Sequence, residues 1–146
     1  MSADFPLVMA VFLIGFVALW VVVAVVLGLI GGWRELARRY RSQLPFSGHK
    51  WYFRSATMNI FVRYNRMLTV GVNPAGLYLA VMALFRPGHP PLFIPWHDIT
   101  MTSEQKFAAT FIVFKFSGAP GVTLRMRERF GREMLETARG GASPIQ

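Results

Sequence analysis

From Pro6 to Ile30 the chain reads PLVMAVFLIGFVALWVVVAVVLGLI, 25 residues without a single charge. At about 1.5 Å rise per residue, a helix of that length spans roughly 37 Å, enough to cross a hydrocarbon core of about 30 Å with some tilt. Leu, Ile, Val and Phe fill seventeen of these positions. At about −0.3 to −0.6 kcal/mol each they favour insertion by roughly 5–10 kcal/mol. The run VVVAVV prefers a strand in water, but in lipid only a helix lets one segment pair its own backbone groups. No Lys or Arg precedes the run and no A-x-A-like cleavage site follows it. A retained transmembrane helix over 6–30 is therefore expected, rather than a cleaved signal peptide.

The flanks orient the span. Asp4 is the one charge before it, whereas GGWRELARRYR at 31–41 brings Arg34, Arg38, Arg39 and Arg41. By the positive-inside rule residues 1–5 face out and the bulk of the chain faces the cytoplasm. All sixteen Lys and Arg follow residue 33, against six of the seven acids. A basic body tethered in this way has anionic lipid headgroups as its first expected partner, before nucleic acid, which is not expected to bind. The absence of cysteine excludes disulfides and thiolate chemistry.

Beyond Gly31-Gly32, the residues Trp33, Leu36, Ala37 and Tyr40 recur at i, i+3, i+4 and i+7, one apolar face of a short helix. The arginines take the other face. Because Trp and Tyr favour headgroup level, Trp33, Arg34, Arg38, Arg39, Tyr40 and Arg41 are expected at the membrane interface, within a juxtamembrane segment and linker over 31–47. The stretch SQLPFSGHK at 42–50 has the composition of a loop.

From there the apolar period drops to two. WYFRSATM (51–58), NIFVRYN (59–65), LFIPW, ATFIVFKF (109–116) and GVTLRM (121–126) read as strands. Residues 67–85 read as a hairpin about Asn73-Pro74-Ala75-Gly76, whose residues suit a type I turn. In RERFGREMLETA (127–138), Phe130, Met134, Leu135 and Ala138 share one helical face. The tail RGGASPIQ (139–146) is expected to be disordered. About seven short strands and one helix, without βαβ alternation, predict a curled antiparallel barrel over 48–138 capped by a C-terminal helix.

The strand entry Gly76-Leu77-Tyr78-Leu79, the phrase Ile94-Pro95-Trp96-x-x-Ile99 and the final strand-then-helix give this region a family likeness. It resembles the bacterial pleckstrin-homology-like (PH-like) domains, GRAM-like ones included, and most of all those carried on a single transmembrane helix. The resemblance implies a seven-strand barrel closed by a C-terminal helix, set at the inner (plasma) membrane of a bacterium. Members that grip phosphoinositide headgroups pair a lysine of the first strand with an R-x-R late in the second. Lys50 matches the first element, while Arg63-Tyr64-Asn65-Arg66 departs from the second. General attraction to anionic lipid is then what the resemblance implies.

Chemistry has few footholds. PGHPPLFIPWHDI at 87–99 holds His89, His97 and Asp98, and the third histidine is His49. A zinc centre needs three or four converging ligands. In a strand starting at Leu92, His97 and Asp98 point to opposite faces, and His89 among prolines is expected to be solvated. No metal, cofactor or catalytic residue is assigned, and a metal-dependent enzyme using these histidines is the remote alternative. No phosphate-binding glycine loop or nucleophile elbow occurs.

Two binding signals remain. Ala24, Gly28 and Gly32 lie four apart on the span, a small-residue stripe suited to an integral membrane partner or to a second copy of the chain. Arg125, Arg127, Arg129 and Arg132 crowd the junction of last strand and helix, a basic face for lipid or an acidic partner. The reading is a non-catalytic, single-pass membrane protein with a cytoplasmic docking domain. Its alternative is an accessory or assembly subunit of a larger respiratory, photosynthetic or transport complex.

Overall fold

The computed structural model describes residues 3–42, 44–59, 62–106 and 108–140. Helix α1 (Phe5–Ile30) opens with Pro6 in its first turn, where the missing N–H costs nothing. Its side chains from Phe5 to Val23 are exposed, and the helix is long and apolar enough to cross a membrane. Gly31 and Gly32 link it to α2 (Trp33–Tyr40). Gly32 sits at φ +94, and a Cβ there would meet Val122 at 2.9 Å, so glycine is required twice over.

Seven strands follow: β1 (His49–Met58), β2 (Val62–Asn73), β3 (Gly76–Val81), β4 (Leu92–Pro95), β5 (Ile99–Lys106), β6 (Ala109–Phe116) and β7 (Ala119–Arg127). They form one antiparallel sheet in the order β4-β3-β2-β1-β7-β6-β5. β1 pairs with β2 along most of its length but joins β7 only through Thr57 and Met58. The two halves therefore diverge from that corner, and the sheet curls into a half-barrel. Helix α2 packs against β4 and β7, and α3 (Glu128–Gly140) packs against β2, β6 and β7. The core fills between them, with Leu68, Leu77, Leu79, Ile94, Phe114, Leu124 and Met134 nearly or fully buried. The expected curled sheet closed by a C-terminal helix is the observed one.

Two strand expectations change. Residues 62–65 of the expected strand at 59–65 and residues 67–72 belong to a single strand, β2, bulged against β1 around Arg54–Ala56, while Asn59 lies in the turn before it and residues 60–61 lie outside the described residues. Phe53 (φ +57) and Arg66 (φ +56) carry the distortion, and the Ser55 hydroxyl ties it down by accepting from Arg66 N at 2.8 Å. The polar residues Asn65 and Arg66 therefore interrupt the apolar pattern without ending the strand. The sequence reading has no strand at 99–106. β5 buries only Ile99 and lies at the sheet edge, so its residues ITMTSEQK carry no core-facing alternation. The helix keeps its pattern to Gly140, and residues 141–146 of the expected disordered tail lie outside the described residues.

Candidate functional site

Functional interest centres on the junction where α1 meets the domain. The connection between β3 and β4 contains a 3-10 turn, Ala83–Phe85, and folds back along the last three turns of α1. Trp20 Nε1 donates to the Leu84 carbonyl at 2.7 Å, and the Trp20 and Phe85 rings lie 5.0 Å apart. Further along, a Cβ on Gly28 would fall 2.5 Å from the Gly88 carbonyl oxygen. Gly88 itself (φ +75) stands against the Val25 backbone. Ala24, Gly28 and Gly32, the predicted stripe for a partner helix, are all buried against the chain's own domain. Small residues are used here for close backbone approach, and the neighbour is a loop of the same chain.

Behind Gly88 lies a buried aromatic knot. His89 is 1% exposed, contrary to the solvated side chain expected among prolines. Its Nδ1 lies 3.0 Å from the Pro87 carbonyl, which can only accept, so Nδ1 carries the proton. Nε2 then accepts from the Tyr64 hydroxyl at 2.9 Å. Trp33 packs edge-on to both rings and donates its Nε1–H to the Pro90 carbonyl at 2.8 Å. Burial lowers the His89 pKa from its ordinary value, an effect that bonds to the Pro87 and Phe85 carbonyls partly offset, and raises that of Tyr64. Both groups are thus held neutral.

Trp33 (0% exposed) and Tyr40 (5%) correct the expectation of aromatic anchors at headgroup level. Spacing identifies them as one apolar face, and the domain covers that face. The Tyr40 hydroxyl donates to Asp98 Oδ2 at 3.1 Å and accepts from Gly118 N at 2.7 Å, tying α2 to the turns before β5 and β7. The arginines do face outward. Arg34, Arg38 and Arg41, with Ala37, line a groove of about 370 Å³ whose other wall is Val25 and Leu29 of α1 and Gly88 and Pro90 of the loop. Arg39 lines a separate groove with Tyr40 and Asp98.

The basic face predicted from Arg125, Arg127, Arg129 and Arg132 is divided. Arg125 meets both Glu104 oxygens, at 3.0 and 3.2 Å, and Arg132 pairs with Glu128 one turn earlier on α3. The strand ends at Arg127, so Arg129 lies on the helix and the expected alternation stops. Arg127, Arg129 and Arg132 line one cleft of about 610 Å³ together with Glu128, Glu133 and Glu136, and Arg127 and Arg129 also line a second of similar size with Arg54, Arg63 and Arg66. Lys50 lies 5.4 Å from the Tyr78 ring centre and 5.7 Å from that of Phe46, stacked over aromatic faces.

The histidines do not converge. Strand β4 ends at Pro95 and Trp96–Asp98 turn in a 3-10 helix, so His97, 81% exposed, swings onto Asp98 at 3.3 Å, correcting the opposite-face expectation. His49 packs on Trp51. Among the described residues no three His, Asp or Glu side chains are grouped to hold a metal ion. No protein-family model, curated protein or solved structure matches the chain.

Proposed function

We propose that this chain is a non-catalytic, single-pass membrane protein whose basic domain docks on the anionic cytoplasmic leaflet beneath its own anchor. The order of seven antiparallel strands and a closing helix supports a PH-like domain, an architecture that carries many binding roles. One observation carries the membrane reading: the 83–86 turn lies alongside Trp20. A hydrocarbon core of about 30 Å takes about 20 residues of helix. Counted from Phe5, it ends near Ala24, which leaves Trp20 and its companion Leu84 about 6 Å inside. In hydrocarbon every backbone polar group needs a partner. The turn meets part of that demand: Phe85 N bonds to Met82 O, Arg86 N to Ala83 O and His89 N to Arg86 O, while the Leu84 carbonyl and the Trp20 indole satisfy each other. Leu84 points outward, 65% exposed, and the exposed Arg86 that follows has a stem long enough to reach headgroups. Seating Leu84 and the half-buried Phe85 in lipid stabilises the docked domain by about 2–4 kcal/mol. The arginines of α2 add about 1 kcal/mol each beside an anionic surface.

The chain lacks cysteine, so a single Leu84→Cys substitution carries a unique spin label. In vesicles containing an anionic phospholipid, the label at 84 is expected to be relaxed by lipid-soluble oxygen and shielded from a water-soluble nickel chelate. A label at exposed Thr100 on β5 should show the reverse. Equal access of the nickel chelate to both positions refutes the docked arrangement.

A further inference from the structure

The groove between α1 and α2 has a composition that the general attraction of a basic domain to a membrane does not require. Arg34 and Arg38 lie one turn apart on α2, and Arg41, at its C-cap and bridged to Leu92, joins them at the groove, which brings three guanidinium groups to one side of it. None of the three has a carboxylate partner among the described residues, and no acid lines the groove. Glu35, the acid within the same helix, lies on another side, near Gly121. Like charges at this spacing destabilise a helix by a few tenths of a kcal/mol per pair, a cost that an anion between them reverses. The opposite wall is apolar: Val25 and Leu29 lie one turn apart on the span, and Gly88 and Pro90 form the floor.

Resting on the membrane-anchored reading above, we infer that this groove is a resident site for one anionic phospholipid. The phosphate sits among Arg34, Arg38 and Arg41, and the glycerol backbone passes along Leu29 and Val25 so that the acyl chains enter the hydrocarbon near Ala24. Guanidinium forks bind phosphate oxygens bidentately, and three of them exceed what a zwitterionic headgroup, carrying its own cation, accepts without repulsion. The volume of about 370 Å³ falls at the small end of the ligand-pocket range, enough for a glycerophosphate headgroup. The source is lipid, not a free phosphate, because one wall belongs to the span itself. The site lies outside strands β1 and β2, where Lys50 is stacked on Phe46 and Tyr78.

Native mass spectrometry of the full-length protein in dodecyl maltoside tests the site, with phosphatidylglycerol and phosphatidylcholine of identical chains added in turn. The expected result is one phosphatidylglycerol per chain, surviving activation that strips phosphatidylcholine. Each Arg→Gln change at 34, 38 or 41 lowers affinity about fivefold, and all three together about a hundredfold. The triple control Arg127→Gln, Arg129→Gln and Arg132→Gln leaves the adduct intact. All six side chains are exposed, and near-UV circular dichroism verifies that both triple variants keep the fold. Equal retention of phosphatidylcholine, adducts that do not saturate at one, displacement by inorganic phosphate, or an unaffected Arg34/Arg38/Arg41 variant would each overturn the inference. The two readings fail separately. A water-exposed label at 84 removes the docked arrangement. A lipid-exposed label without selective phosphatidylglycerol retention removes this site alone.

Discussion

Gly28→Ala is the sharpest perturbation of the junction between anchor and domain. The added Cβ would stand 2.5 Å from the Gly88 carbonyl oxygen and 3.3 Å from His89 Cε1. Ordinary contact begins near 3.4 Å, and the nearer atom is backbone, so the loop has to retreat from α1 by almost 1 Å. Two hydrogen bonds span that gap, Trp20 Nε1 to Leu84 O at 2.7 Å and Trp33 Nε1 to Pro90 O at 2.8 Å. A retreat of that size stretches both to about the limit of hydrogen bonding. Losing them costs about 0.5–1.5 kcal/mol each, and the buried Trp33 N–H left without an acceptor places the total near 2–3 kcal/mol. For a chain of this size, that lowers the melting temperature by roughly 5–10 °C. The assay is thermal unfolding of the detergent-solubilised protein, followed by tryptophan fluorescence and near-UV circular dichroism. Gly15→Ala is the matched control, since nothing lies within 4 Å of a Cβ at Gly15. If Gly28→Ala melts within about 1 °C of Gly15→Ala, the loop is not seated on the helix and the reasoning fails. If it lowers the oligomeric mass without moving the melting temperature, the small-residue stripe serves a partner helix instead.

Other expectations follow from the same geometry. Because burial favours neutral His89, the unfolded chain takes up a proton below about pH 6.5 that the folded chain resists. Folding stability is therefore complete above that pH and declines as the pH falls through it, by at most about 1.4 kcal/mol per unit. Denaturant titrations at pH 7.5 and 5.5 should show the loss in the native chain and a smaller one in His89→Gln. Tyr64→Phe strands the His89 Nε2 acceptor and is expected to cost about 1–3 kcal/mol at pH 7.5 in the same titration. At the β2–β3 turn, Asn73 Oδ1 accepts from Ala75 N and Gly76 N while Nδ2 donates to Ser47 O. Asn73→Ala should cost about 1–2 kcal/mol, and Asn73→Asp, which keeps the acceptor, should recover about half, as read from the midpoint of unfolding.

Features legible in the sequence were those decided within a few residues of chain. The length and apolarity of 6–30 dictate a helix, the i, i+3, i+4, i+7 spacing of Trp33, Leu36, Ala37 and Tyr40 dictates an amphipathic one, and Asn73-Pro74-Ala75-Gly76 dictates the turn from β2 to β3. The two-residue apolar period and a closing helix were sufficient for the curled antiparallel architecture, although the count of seven came right only because two expected strands merged into β2 while β5 went unread. What covers each face was not legible, because periodicity marks a side as apolar without naming its neighbour. Trp33 and Tyr40 went into the domain instead of to a headgroup layer, and Ala24 and Gly28 met a loop some sixty residues later in the chain instead of a second helix. His89 was enclosed only because α1, α2 and β2 converge on the 87–90 turn. Arg125 was claimed by Glu104 across the sheet from β5, a strand that its own polar residues concealed. Each of these outcomes depends on contacts between segments far apart in sequence, where shape and the need to satisfy buried polar atoms select the partner.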